Sequence, residues 1–448
     1  MQIFFIFTTK KSIYSIMDTI IIFLLAICLM STGCSMKEPS SPSDHSKPDH
    51  IIRLAEAFGR PEEVRLSELV DSIAYIPLET REECLLNSFS GFQYHAPYIF
   101  NGPLVFDFNG RFIHRLGRQG QGPGEEPGNY WEGIWVDPCF YTTGCKLIGY
   151  DKKGNFNGKE MILLTVAEGL YPFETSSGRI GYIDTWEKAG KNLLISAPND
   201  SLYILDADFQ LLNASGLTPE EKNYRFANNV HYIQLFTAFR DSVLYYNYSN
   251  DTVYRVIDTK LVPRWVIDMQ NYKLPAMTAE KKKKLVEELS HCIRNGLGST
   301  DPESVIKTGM DASELVRLAK GKKLIYAVYE TKNYVFITWS DYDNINAELR
   351  QLDSYPPQLA YYDKRTGKTV VVKGRGLIDD MDRYDEIYYP TFGIYENKLI
   401  AYFWPYELHE TIQKRQAAGK KVSPALLDLA ARVNDEDNPI LMVAYLKE

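Results

Sequence analysis

Positive charge is in deficit: 50 Lys and Arg face 58 Asp and Glu, a formal net charge of −8. A general nucleic-acid surface needs a basic face, so that class is excluded. The one dense basic run, Lys281 to Lys284, stands beside Glu287 and Glu288 in helix-forming sequence and reads as a solvated face. Cysteine and histidine are scarce, at 6 and 7 residues. No paired Cys-x-x-Cys units occur and no two histidines have helical ligand spacing, which argues against a Cys/His zinc site. No serine sits in Gly-x-Ser-x-Gly, so the nucleophile of an α/β-hydrolase is missing. Aromatic residues are abundant instead, at 13%, with 31 Tyr. Such side chains pack well on a pleated surface, which favours strands.

The N-terminus reads as an export signal. Lys10 and Lys11 precede the apolar run TIIIFLLAICLM (Thr19 to Met30), which is too short to be a stable membrane anchor. Small residues then lead to Cys34, as in a bacterial lipobox, with Ser31 where a larger apolar residue is usual. Cys34 is the expected lipid attachment. A start at Met17 would drop the two lysines. Residues 35–50 are polar and rich in Ser and Pro, a flexible tether that buries no core. Residues 51–448 are left as one domain, standing off the membrane on a lipid leash. The expected location is periplasm or outer membrane. In that compartment CFYTTGC could close a hairpin through a Cys139–Cys145 disulfide; the alternative is two small buried side chains.

An internal repeat organises the domain. PLVFDFNGRFI, KLIGYDKKGNF, SLYILDADFQL, TVYRVIDTKLV and QLAYYDKRTGKTV each read strand, Asp, polar turn, strand, with the Asp at 107, 151, 206, 258 and 363. The first intervals are about 44 to 55 residues, the size of a four-stranded propeller blade. Asp caps backbone amides in such turns. Gly110, Gly154 and Gly367 supply a positive φ. Helical patterning interrupts the strands near 275–323 and 405–433, with Thr278, Asp311 and Ser423 as N-caps and Pro424 at a first helical position. Strand clusters number six, and the early strand SIAYIPLE (Ser72 to Glu79) is left over to complete the last sheet beside PILMVAYLK. The expectation is an all-β, six-bladed β-propeller of four-stranded antiparallel blades. Rings of five or seven blades are the neighbouring alternatives.

Four segments, DSIAYIPLET, DFNGRFIHRLGRQGQGPGE, YSNDTVYRVID and NPILMVAYLK, resemble the six-bladed β-propeller lipoproteins of Bacteroidota. The resemblance runs from about Ile51 to the C-terminus. It implies an exported envelope protein and carries no catalytic residues. The stretch from Cys84 to Leu104 is short for two strands, which predicts a degraded first blade.

Chemistry is sparse. LGRQGQGPGEEPGNYW (Leu116 to Trp131) is rich in glycine, but it lacks the Lys and Ser/Thr of a P-loop, and Pro123 and Pro127 deny it a following helix. It reads as a connector between sheets, with Arg118 or Arg115 pairing with Glu125. LIDDMDRYDE (Leu377 to Glu386) could offer oxygen ligands to Ca²⁺, though not in EF-hand spacing. His114 and His231 lie in strands and could face a central channel, or be satisfied packing residues. Trp131, Trp135, Trp339, Tyr342 and Trp404 flank turn-forming residues; packing between blades accounts for most such rings, and the rest could bind a glycan or peptide. Asp-Ser/Thr-apolar triplets at Asp71, Asp200, Asp241 and Asp251 resemble an O-glycosylation signal. The leading expectation is a non-catalytic envelope scaffold that binds a partner protein, peptide or glycan, without nucleic acid or cofactor. The alternative is a lyase or lactonase with Ca²⁺ in the channel.

Overall fold

The computed structural model describes residues 50–448 except 87–91, 96, 128–131, 144–145, 163–184, 190–191, 197–200, 209, 217–235, 240–241, 248–249, 258–259, 274, 276–280, 282–283, 286, 289–290, 292–313, 342–356, 384–385 and 392. The export signal, Cys34 and nearly all of the tether lie outside these residues.

The repeat is a hairpin closed by its aspartate. At the turn from β5 (Leu104–Asp107) to β6 (Phe112–Arg115), Asp107 Oδ1 accepts the amides of Asn109 (2.8 Å) and Arg111 (3.0 Å). Asp151 does the same for Lys153 and Asn155 between β9 (Lys146–Tyr150) and β10 (Phe156–Ile162). Asp206 serves Asp208 and Gln210 between β13 (Ser201–Leu205) and β14 (Leu211–Gly216). Asp363 accepts Arg365 N–H between β21 (Gln358–Asp363) and β22 (Lys368–Val371). Asp258 lies outside the described residues. In three of these turns a glycine takes the positive φ: Gly110, Gly154 and Gly367, at 80°, 78° and 72°.

Each of these hairpins is the outer half of an antiparallel sheet. β3 (Phe92–His95) and β4 (Tyr98–Asn101) complete the sheet of β5 and β6. The degraded first blade is therefore corrected: its strands are short but all are present. β7 (Glu132–Val136) and β8 (Cys139–Thr143) join β9 and β10, and β11 (Thr185–Ala189) and β12 (Asn192–Ser196) join β13 and β14. β15 (Phe236–Phe239), β16 (Ser242–Asn247), β17 (Thr252–Ile257) and β18 (Lys260–Ile267) form the next sheet, and β1 (His50–Ile52) adds to β18 in parallel. β19 (Lys323–Glu330) and β20 (Tyr334–Asp341) precede β21 and β22. A closing sheet has the order β2 (Val70–Pro77), β27 (Ile440–Leu446), β26 (Lys398–Phe403), β25 (Ile394–Tyr395). The hairpin β23 (Leu377–Asp379) and β24 (Glu386–Tyr388) stands apart.

The sheets form a propeller-like ring. First strands neighbour one another in the succession β3, β7, β11, β15, β19. The apolar cores lie between adjacent sheets. Phe100, Leu116, Trp135 and Phe140 fill one junction. Val335 and Ile337 pack with Val243 and Trp265 in another. The last junction joins Ile400 and Leu441 of the closing sheet to Ile99 and Phe106 of the β3–β6 sheet. The leftover early strand does what the sequence leads one to expect: β2 pairs with β27 along its length.

Upstream of β2 the chain is a strap across the outside of the ring. β1 lies on β18, Glu62 bridges Val372 beyond β22, and Arg65 bridges Ile378 in β23. Two short helices, α1 (Leu54–Ala57) and α2 (Leu66–Leu69), set its path and bury Leu54, Leu66 and Leu69. The helical interruptions are also found. α3 (Glu314–Ala319) falls in the first, whose caps Thr278 and Asp311 are outside the described residues. α4 (Pro405–Ala417) and α5 (Pro424–Ala430) form the second, and Ser423 Oγ accepts Ala425 N–H as N-cap.

Candidate functional site at the closure seam

Three of the four motifs singled out in the sequence converge where the closing sheet meets the β3–β6 sheet. Pro77 ends β2, and a Cβ on Gly110 would lie 2.2 Å from its carbonyl oxygen, so only glycine fits there. Glu79 N–H donates to the Gly110 carbonyl (2.8 Å), and Glu79 Oε2 accepts Phe112 N–H (2.8 Å). That amide and Arg81 hold the Glu79 carboxyl below its usual range. From the other side comes Asn438, 1% exposed. Its Oδ1 accepts Leu86 N–H (2.8 Å), and its Nδ2 donates to the carbonyls of Glu79 (2.7 Å) and Cys84 (2.9 Å). Its own N–H reaches Thr80 Oγ1. The polar atoms of IPLET, DFNGRF and NPILM are thus used to join the two ends of the ring.

The glycine-rich connector binds carboxylates of its own chain. Gly122 N–H goes to Glu125 Oε2 (2.8 Å) and Gly124 N–H to Glu160 Oε2 (2.9 Å). An incoming phosphate would find these amides taken. Arg118 holds Glu125 at 2.6 Å, one of the two pairings anticipated, and with Gly122 N–H it lowers the Glu125 pKa. Lys146 reaches back to the Gly122 carbonyl (3.2 Å), and Tyr150 OH donates to that of Gly124 (3.2 Å). The loop is docked on the β7–β10 sheet.

The aromatic candidates divide. Trp135 and Trp339 are 4% and 3% exposed. These two take the packing alternative and not the binding one: both point inward from strands and fill junctions between sheets. Trp404 is half-buried at the start of α4, where its N–H donates to Glu407 (2.7 Å). Trp131 and Tyr342 lie outside the described residues, as does His231. His114 also packs. It sits on β6, a fourth strand remote from the succession of first strands, with its ring edge-on to Phe140 at 4.9 Å. Burial lowers its pKa against the pull of Asp151. Within CFYTTGC the structure describes residues 139–143, the extended strand β8, in which Cys139 faces Val136 and Thr143 faces Glu132. Cys139 carries a free thiol, and Cys145 lies outside the described residues.

The acidic run does not converge. Asp380 accepts Ser67 Oγ (2.6 Å) and N–H (3.0 Å) from the strap. Asp382 accepts Ser423 Oγ (2.8 Å) and Tyr75 OH (3.2 Å). Asp379, 1% exposed, accepts the amides of Met381 and Asp382, and burial raises its pKa. Asp385 lies outside the described residues. Among the described residues no three His, Cys, Asp or Glu side chains gather as metal ligands. Of the glycosylation-like triplets, Ser72 is exposed on β2 while Thr252 is buried. Two clusters had no signal in the sequence because their members are far apart in it. Glu330 is held by Arg264, Lys364 and Trp265. Lys323 is ringed by Phe58, Tyr272 and Trp339.

No helix among the described residues is long and apolar enough to cross a membrane. The chain matches no curated protein. Among solved structures it is similar to a Bacteroides fragilis protein named "Putative exported protein", at 17% identity and a TM-score of 0.54, over 89% of this chain and 99% of that one. That likeness shows the fold. A Bacteroides caccae protein of unknown function (12% identity, TM-score 0.29, 62% and 77% of the two chains) and BamB from Moraxella catarrhalis (11%, 0.27, 67% and 66%) are more distant. A family model described as "Domain of unknown function (DUF4934)" matches residues 49–445, nearly the whole ring and its strap, and the chain belongs to that family.

Proposed function

We propose that the chain is an exported cell-envelope lipoprotein, tethered through lipid on Cys34, whose propeller closes as six blades and binds a partner protein, peptide or glycan without acting on it chemically. One observation carries the reading: the motifs that identify the chain use their polar groups on ring closure and on docking the connector. Glu79, Asn438 and Glu125 are hydrogen-bonded within the chain in roles that hold the fold together, which suits a scaffold. Trp404, half-buried beside the exposed Tyr406, is the described aromatic best placed to meet a ligand.

Two experiments test this. Cells fed a labelled fatty acid should label the wild-type chain, and Cys34→Ala should abolish the label. An unlabelled wild-type chain would defeat the anchoring. The mature protein should bind members of a glycan or peptide array, weakened by Trp404→Ala, and leave them intact. Turnover of an array member that survives repurification would defeat the scaffold reading.

A further inference from the structure

Lys323 opens β19, where the chain returns from the first helical interruption. Its ammonium lies 4.4 Å from the ring centre of Trp339, 4.8 Å from Phe58 and 5.4 Å from Tyr272. It also pairs with Asp341. Phe58 meets Trp339 edge-on at 4.7 Å and Tyr272 at 4.9 Å. Three rings and a carboxylate around one cation is the arrangement that recognises alkylammonium ions. The rings come from three parts of the molecule: the strap (Phe58), the entry to the interruption (Tyr272) and the ring itself (Trp339). The same root is held by Lys273 on Asp251 (2.8 Å) and by Lys322 on the Asn271 carbonyl.

We propose that Phe58, Tyr272, Trp339 and Asp341 form an alkylammonium-binding cage that Lys323 fills from within the chain, and that this latch holds the upstream half of the strap on the ring. The two halves of the strap are unequal. Downstream, β2 is antiparallel to β27 throughout. Upstream there are the short parallel β1, the backbone hydrogen bonds of Ile52 and Ala55 with Asp268, the bridge from Glu62 to Val372, and Ile52, Leu54 and Ala55 buried beneath. The ion pairs Lys368–Glu62 and Lys373–Glu63 are exposed and contribute little. Gly59, with open space around it, separates the latch from that bridge. A segment held this way opens at a lower free energy than the sheets below it. The cage is the feature that ties it to both the interruption and the ring, so occupancy of the cage and attachment of the strap are one equilibrium.

The test is hydrogen exchange on the full chain, read on peptides over residues 50–60 and over β2 and β27. Lys323→Ala and Lys323→Met should both speed exchange at 50–60 by about thirtyfold, the worth of one desolvated cation–π contact. Exchange in β2 and β27 should not change. Met keeps the volume without the charge, and Lys323→Arg, which keeps a cation, should match wild type. Ethylammonium added to Lys323→Ala should restore slow exchange and should do nothing to Lys323→Met. Wild-type exchange in Lys323→Met, no response of Lys323→Ala to ethylammonium, or equal acceleration in β2 and β27 would each overturn the latch.

Discussion

Replacing Glu330 with Gln should weaken the ring where two sheets meet. Glu330 ends β19 with its side chain 0% exposed. It accepts Arg264 Nε and Nη2 (2.7 Å each), Trp265 Nε1 (2.9 Å) and Lys364 Nζ (2.6 Å). Burial alone would raise its pKa, but the hydrogen bonds from Arg264, Lys364 and Trp265 outweigh burial and hold it below the usual range. Gln keeps the shape but removes the negative charge and turns an amide N–H donor toward donor groups that have lost their acceptor. Removing one partner of a buried ion pair costs about 3–5 kcal/mol. Arg264 is 31% and Lys364 18% exposed, so both recover some hydration and the low end, about 3 kcal/mol, applies. Unfolding entropy of about 2 cal/mol/K per residue over a domain of about 400 residues converts this to a fall in Tm of about 4 °C. Calorimetry of the two proteins at pH 7 measures it. The folded pKa is depressed, so the stabilisation is present above the unfolded value near 4.5 and is lost as pH falls through the folded pKa. The gap between the two proteins should narrow in acid. Equal Tm values at pH 7, or a gap that does not change with pH, would refute the assignment.

Gly124→Ala places a Cβ 2.6 Å from the Phe156 ring at a φ of +69°, and should destabilise by about 1–3 kcal/mol in a urea titration. Asn438→Ala strands the Leu86 amide and the carbonyls of Glu79 and Cys84, for a loss of about 3 kcal/mol; a neutral result would dissolve the seam. His409 faces two acceptors, the Asp435 carboxylate and the Ala430 carbonyl, so only the imidazolium satisfies both. Its pKa is raised, by Asp435 first, so its stabilisation is complete below 6.5 and lost as pH rises through the folded pKa. An NMR titration should find a value above 6.5 that Asp435→Asn lowers. Cys84 is buried, with its thiol pKa raised by burial, and should resist iodoacetamide until the protein is unfolded.

What was legible in the sequence is what repeats or lies locally. The Asp-turn hairpins are legible because each described aspartate caps the amide two residues on, and Asp107, Asp151 and Asp206 also cap the amide four residues on. Ser423 and Pro424 could be read for the same reason. β2 was assigned to β27 by a global argument, since a ring must join its ends or leave raw edges. Side-chain direction was not legible. Trp135 and Trp339 look like surface rings in sequence because they stand near turns, yet strand alternation points them into the junctions. The place of His114 is not legible because strand content does not say whether a strand is first or fourth in its sheet. The Glu330 and Lys323 clusters join residues too distant in sequence for any pattern to connect.

The contrast between repeated and unrepeated residues explains why the most recognisable motifs use their polar groups on the fold. A ring of similar sheets can be built from similar hairpins, and Asp107, Asp151, Asp206 and Asp363 are interchangeable in role. Closure is different, because the first and last sheets must find each other among near-identical alternatives. That requires contacts found at one junction, and these are supplied by Pro77 against Gly110, Glu79 on Phe112, and Asn438 on the segment from Glu79 to Leu86. Residues that specify closure are constrained by both the fold and the register, so they form distinctive sequence without being near a substrate. Function in such a protein is expected where the constraint is absent, on loops and interruptions that the ring carries but does not need.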